Sequence, residues 1–354
     1  DWFAMNYGDV CEQPNCYPLG RQWQGQVDGA ARLAQVAAFL GSAHSRPDTA
    51  VWHGWEGIAR LNEAGMALYW KAFVINTSFA FQERNEAFDF TSSQILAEGC
   101  VDGPVWRTRM GAYRTVVLPY ACMLPERLWE QACAFAVAGG RLVFVGPPVA
   151  CTTAGEDLSN AFARLVGIAP LPLAEYLALS RARLGTPAPA SAAAELVAFQ
   201  RPTRIDFQYP LDLAGALPLI DTEGDLYGVR AADAEVYYLT GLDPQEALVA
   251  LSQAVLRPAP PVQVRLADAY WRLYETPGEP DRQWVLALSR SRLAMHGEVA
   301  TSGGRWQVDG DGMVVLAFAA GSLVDALVDG QVALTCDDAP VGHRRLAPGP
   351  AVLR

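Results

Sequence analysis

His53-Gly54-Trp55-Glu56 sets an imidazole, an indole and a carboxylate within four residues. An indole face stacks on flat apolar surfaces such as a sugar ring, while histidine and glutamate exchange hydrogen bonds with hydroxyl groups. The three directly follow Thr49-Ala50-Val51-Trp52, a short strand-like run. They should therefore stand at the carboxyl end of a parallel strand, where open α/β sheets place their ligands. A loop whose Trp packs on a neighbouring domain, with solvated polar groups, would use the same residues. Cys122 is the second candidate: it follows the apolar run Val116-Val117-Leu118, and beside His53 and Glu56 its thiolate would be a nucleophile. Its neighbours, Tyr120-Ala121-Cys122-Met123-Leu124, lack the flanking glycines of a nucleophile elbow, and a structural core cysteine is the competing reading.

Other residues offer less chemistry. Asp309 and Asp311, in Asp-Gly-Asp-Gly, lack the remaining ligands of a calcium loop and read as a hairpin turn. Cys11 and Cys16 form the one close cysteine pair, and neither a second pair nor a nearby His completes a zinc site. His296 and His343 stand alone, and Asn76-Thr77-Ser78 is a glycosylation sequon inside an apolar helical run. No glycine-rich phosphate loop follows a strand-like run. The expectation is a protein without cofactor or metal.

Composition narrows the classes. Hydrophobic residues make up 51% and charged residues 18%, the balance of a packed globular protein, and 354 residues exceed one ordinary core. A net charge of −11 argues against nucleic-acid and anionic-membrane partners. Seven scattered cysteines suggest a reducing compartment and a cytoplasmic location. No apolar run approaches the length of a membrane span. The chain opens on Asp1-Trp2-Phe3-Ala4-Met5, without an initiating Met or a signal-peptide pattern, and reads as a piece of something longer.

Positioning the candidates falls to the stretch from Tyr113 to Pro148. Val116 to Leu118 and Leu142 to Val145 are apolar runs without alternation, as in strands buried on both faces. Between them, Pro125 opens a helix with Leu128, Ala132 and Phe135 on one face, and Gly139-Gly140 ends it. This is a βαβ unit. Residues 1–27 read as a connecting segment, and Asp28 is expected to cap a helix carrying Leu33, Val36, Ala37 and Leu40. Further helices are expected over residues 67–84, 156–166 and 243–255, with strands at Phe88-Asp89-Phe90 and Glu235 to Thr240. Thr186 to Ala192 is linker-like.

After Pro258, Pro260 and Pro261 the pattern changes to short runs broken by glycine-rich turns. The runs are 271–274, 283–288, 305–308, 313–317, 323–328 and 332–334. With Asp309 to Gly312 and Asp329-Gly330 as hairpin turns, residues 262–354 read as a small antiparallel β-sandwich.

Tyr113-x-x-Val116-Val117-Leu118-Pro119, then a helix, then Gly139-Gly140-Arg141-Leu142-Val143-Phe144-Val145-Gly146, resembles the glutamine-amidotransferase-like accessory domain of large bacterial glycosidases. Beta-galactosidases with a trimerisation domain, and rhamnosidase-type hydrolases, are the families meant. Thr49 to His53, Phe88 to Phe90, the helix before Gly167, Glu223-Gly224-Asp225 and Val236 to Leu239 extend the resemblance loosely over residues 28–257. It implies a flavodoxin-like parallel sheet with helices on both faces, followed by the β-sandwich. In active amidotransferases the nucleophile follows the strand matched by Leu142 to Val145, where this chain has Gly146-Pro147-Pro148. The resemblance thus implies a non-catalytic accessory part of a carbohydrate-active hydrolase. Residues 1–27 could hold the end of a catalytic barrel. Its partners would be a carbohydrate substrate and copies of itself, a trimer among the options, with His53, Trp55 and Glu56 at the lip of a sugar site.

Overall fold

The computed structural model describes residues 23–45, 47–63, 81, 85, 87–184, 216–220, 226–239, 262–276, 278–290, 293–337 and 339–345. Two compact units emerge: Arg46–Leu256, and Asp1–Ser45 together with Arg257–Arg354.

The first unit is built on a seven-stranded sheet. Its strands are β1 (Thr49–Trp52), β2 (Asp89–Thr91), β6 (Thr115–Pro119), β8 (Arg141–Val145), β10 (Ala216–Ile220), β11 (Leu226–Ala231) and β12 (Val236–Leu239). They lie in the order β10-β11-β12-β8-β6-β1-β2. From β12 to β2 all neighbours are parallel, while β10 and β11 extend the sheet antiparallel at one edge. Ala50 lies level with Asp89 and Val116, and Leu142 with Val116 and Val236, so the parallel strands end almost in line.

Both faces of the sheet are covered, which is why its strands lack polar alternation. Trp52, Val116, Leu118, Leu142, Phe144, Val236 and Tyr238 face one side. There they meet Leu96 of α3 (Ser93–Ala97), Leu128, Ala132 and Phe135 of α4 (Glu126–Val137), and Phe162 and Val166 of α5 (Ser159–Val166). Val51, Val117, Val143, Val145, Tyr237 and Leu239 face the other, against Leu61 of α2 (Trp55–Glu63), Phe81, and Tyr176 and Leu177 of α6 (Leu173–Leu184). Full burial of each such Val or Leu contributes about 1.5–3 kcal/mol.

The βαβ reading of Tyr113 to Pro148 matches β6-α4-β8 in order, pairing and buried face. Gly139 adopts φ 82° at the helix end, and a Cβ on Gly140 would fall inside the Phe135 ring. The helix expected over 156–166 begins at Ser159, whose amide bonds Asp157 Oδ1 at 2.8 Å, and ends at left-handed Gly167. Two small sheets complete the unit: β3 (Cys100–Asp102), β4 (Val105–Arg107) and β5 (Ala112–Tyr113) form one, β7 (Met123–Leu124) and β9 (Cys151–Thr152) the other. The expected helices over 67–84 (Phe81 apart) and 243–255, and the linker, lie outside the described residues.

The second unit carries an eight-stranded sheet and α1 (Trp23–Leu40). Its strands are β13 (Gln263–Ala267), β14 (Ala269–Thr276), β15 (Glu279–Ser289), β16 (Met295–Thr301), β17 (Gly304–Ala319), β18 (Ser322–Cys336), β19 (Ala339–Pro340) and β20 (Arg344–Arg345). All pairings are antiparallel except β18 with β20. Along one edge β17 pairs first with β16 and then with β15, while β18 pairs with it from Trp306 to Ala319 on the other.

Two expectations change here. Asp309 to Gly312 and Asp329-Gly330 are not hairpin turns: they lie in the middle of β17 and β18, where Gly312 faces Gly330. Gly310 and Gly312 take φ 137° and 143°, and a Cβ on either would land on the carbonyl of Gln331 or Asp329 across the ladder. Glycine serves close backbone approach there, which local turn signatures do not distinguish from a hairpin. The six short runs beyond residue 262 accordingly merge into β14, β15, β17 and β18, within one continuous sheet.

α1 also departs from expectation. It starts at Trp23, so Asp28 is an interior residue, and Asp costs under about 1 kcal/mol in that role. Residues 1–45 group with the β unit: Val36 is buried with Trp284, Val315, Ala317 and Leu327. Val314, Leu316 and Phe318 point to the opposite core, so β17 is apolar on both faces where α1 crosses it.

Candidate functional site

β1 ends at Trp52 and α2 begins at Trp55, so His53 and Gly54 alone make the turn between them. What sequence reading treats as a loop is a tight strand-to-helix junction, with Trp55 as the first helical residue and Glu56 in the first turn. A carboxylate there is favoured by the positive end of the helix.

The buried Trp52 indole anchors this junction. Its Nε1 donates to Ser93 Oγ at 3.0 Å, and a Cβ on Gly54 would lie within its six-membered ring. Gly54 is therefore required for close approach, and the approach fixes where His53 and Trp55 emerge. The His53 amide donates to the Thr91 carbonyl at 2.8 Å, joining the ends of β1 and β2. From below, a Cβ on Gly57 would meet the Tyr120 carbonyl, so α2 sits directly on the residue that follows β6. Tyr120 holds φ 52°, an uncommon conformation for a residue with a side chain, and its amide bonds the Val145 carbonyl at 2.9 Å.

Above this base lies an aromatic cluster. The His53 ring is 5.3 Å from the Trp55 ring, edge to face, and 6.3 Å from the Phe90 ring at 90°. Phe90 stands 5.0 Å from Phe88, which stands 4.9 Å from the fully buried Phe81. Trp55 is 65% exposed and Phe90 40%. One Glu56 carboxylate oxygen is buried without a hydrogen-bond partner among the described residues. The structure thus brings His53 and Trp55 together at the carboxyl end of the sheet and adds Phe90. Phe90 was legible only as part of a strand; its alternation with Phe88 was the available signal.

Cys122 lies outside this cluster. It is fully buried, its thiol donates to the Gly57 carbonyl at 3.6 Å, and burial, with Cys151 nearby, pushes it up to about 12. A thiol so placed carries almost no thiolate at neutral pH. The core reading of Cys122 describes it, and the nucleophile reading does not. Asp311 accepts from Ser289 Oγ at 2.7 Å within the β unit. Among the described residues no group of three His, Cys, Asp or Glu side chains could hold a metal ion, and no helix is long and apolar enough to cross a membrane.

The opposite end of the strands is polar. Burial pushes the Glu235 carboxyl up, but hydrogen bonds from Tyr237 and Arg141 and the charges of Arg230 and Arg141 outweigh it and hold it below the usual range. Its Oε2 accepts from Tyr237 at 2.8 Å and Arg141 at 3.1 Å, and Oε1 accepts from Arg230 at 2.6 Å. With both carboxylate oxygens bonded and the guanidiniums near Tyr237, this cluster ties β8, β11 and β12 together.

No protein-family model and no curated protein matches the sequence. Solved structures do match. A catalytic mutant of Gan42B, a GH42 beta-galactosidase from G. stearothermophilus, aligns over 90% of this chain and 44% of its own, with TM-score 0.52 and 13% identity. A beta-galactosidase from Rahnella sp. R3 aligns over 90% and 45%, with TM-score 0.50 and 13% identity. The likeness is one of fold, and this chain spans under half the length of either.

Proposed function

We propose that this chain is the non-catalytic part of a glycoside hydrolase of beta-galactosidase type. The observation that carries the reading is the shared fold over 90% of the chain with two beta-galactosidases of which it covers 44% and 45%. Such a part assists catalysis by shape, and its aromatic junction serves as one wall of a sugar site. Trp55 stacks on a pyranose ring, while His53 and Glu56 bond its hydroxyls.

The finer architecture belongs to the same proposal. Counted along the chain, the parallel strands β1, β2, β6, β8 and β12 lie in the order 2-1-3-4-5, which supports a flavodoxin-like sheet of the amidotransferase type. The register shift between Ala317 and Phe318 in the long hairpin of β17 and β18 supports a sandwich-like closure of the second unit. Homo-oligomerisation, a trimer included, and a cytoplasmic location complete the reading.

Steady-state assay of the full gene product on chromogenic galactosides tests it. Turnover is expected, with Trp55→Ala raising KM about tenfold at nearly constant kcat. No glycosidase activity, or an unchanged KM, overturns the proposal.

A further inference from the structure

We infer that β20 is a latch: through Arg344 it holds α1 over an apolar face of the second unit's sheet, and its release frees the helix while the sheet stays folded. The two elements come from opposite ends of the described residues, α1 before the first unit and β20 after the long strands of the second. β20 lies parallel to β18, with Arg344 level with Leu327 and Arg345 with Val328. Leu327 belongs to the floor beneath α1, buried with Val36, Trp284, Val315 and Ala317, and Phe39 and Leu40 pack against that group. Arg344 joins floor and helix. Its Nε donates to Asp325 Oδ1 at 3.1 Å and its Nη2 to Asp325 Oδ2, while its guanidinium lies over the Phe39 ring, 5.7 Å from the centroid. A cation over an aromatic face is attracted to it, so one side chain ties β18 to α1.

Its place at the surface makes this contact releasable. The Arg344 side chain is 69% exposed, and β20 consists of two residues, both exposed. Segments held by few buried contacts open at low free energy. The other polar ties of α1 are of the same kind: Arg32 Nη1 meets Asp329 Oδ2 at 2.8 Å at the surface, and just past the helix His44 exchanges backbone bonds with Glu275. Val314, Leu316 and Phe318, on the opposite face of β17, pack in a separate cluster. Lifting α1 therefore leaves that packing in place and uncovers Trp284, Val315, Ala317 and Leu327. The latch decides whether this apolar face is closed or open.

Hydrogen–deuterium exchange of the 354-residue chain, read by mass spectrometry, tests this. In Arg344→Ala the α1 amides from Val36 to Leu40 are expected to exchange about fivefold faster, the loss of one exposed ion pair and one cation–π contact. The β17 amides from Val314 to Phe318 should keep their rate. Arg345→Ala removes the same charge from the same strand and should leave both regions as they are. Unchanged exchange of α1 in Arg344→Ala overturns the latch. So does an equal acceleration in Arg345→Ala, or a rise in β17 that matches the rise in α1, because the helix would then open only together with the sheet.

Discussion

Replacing Gly54 by Ala perturbs the junction at its most constrained point. The new methyl group would occupy space held by the Trp52 indole, which is 1% exposed and bonded to Ser93 Oγ. Neither partner can retreat, since the ring is packed in the core and the His53 amide is bonded to Thr91. Overpacking of this kind costs about 1–3 kcal/mol, and a clash with a buried ring belongs at the upper end, about 3 kcal/mol. Trp52→Phe removes the outer ring atoms that the methyl would meet, at a separate cost of about 2–3 kcal/mol for the cavity and the lost hydrogen bond. The double variant should therefore be destabilised by about 3 kcal/mol, well short of the sum of the two single effects. Urea unfolding followed by tryptophan fluorescence and far-UV circular dichroism measures all four corners of the cycle. Additive costs would refute the reasoning, because they would mean that Gly54 and the Trp52 ring do not meet in the folded protein.

Other parts of the structure give shorter tests. Glu235→Gln should destabilise the chain by about 1–2 kcal/mol at neutral pH, a figure reduced for the partial exposure of the carboxyl. Because the folded carboxyl is held below its ordinary value of about 4.3, its contribution is present above that pH and disappears as pH falls through the folded value. Urea midpoints of the two proteins should thus converge in acid; a gap that stays constant would contradict the pairing. Native alkylation with iodoacetamide should label the exposed Cys100 and spare Cys122 until the chain unfolds, so rapid labelling of Cys122 would reject its core role. Gly310→Ala should cost more than Gly103→Ala, about 3 against about 1 kcal/mol, since both residues have positive φ but only Gly310 faces a carbonyl. Equal costs in urea unfolding would remove the case for a mid-strand approach.

What the sequence revealed depended on how local the cause was. β6, α4 and β8 were legible because strand burial, the Pro125 start and the Gly139 stop all act within a few residues. His53 and Trp55 were placed correctly at a strand end for the same reason. Non-local causes were hidden. Gly310 and Gly312 exist for the carbonyls of β18, about twenty residues away, so a turn was the natural reading of Asp-Gly-Asp-Gly. α1 packs on β15, β17 and β18, far along the chain, and its helical periodicity says nothing about which sheet it covers. Antiparallel β10 and β11, and α6, lie where the pattern of the sequence weakens. Phe90 joins the site only because β2 pairs beside β1, a pairing across nearly forty residues.

The sugar-wall account stands or falls on whether Trp55 meets a sugar. Nitrogen-15 spectra of the chain during titration with β-1,4-galactobiose resolve the indole N–H groups of its ten tryptophans. The account predicts a saturable shift of the Trp55 signal, assigned through Trp55→Phe, while the buried Trp52 and Trp106 signals stay in place. A Trp55 signal that does not move at saturating sugar, or that moves no more than Trp106, would contradict it.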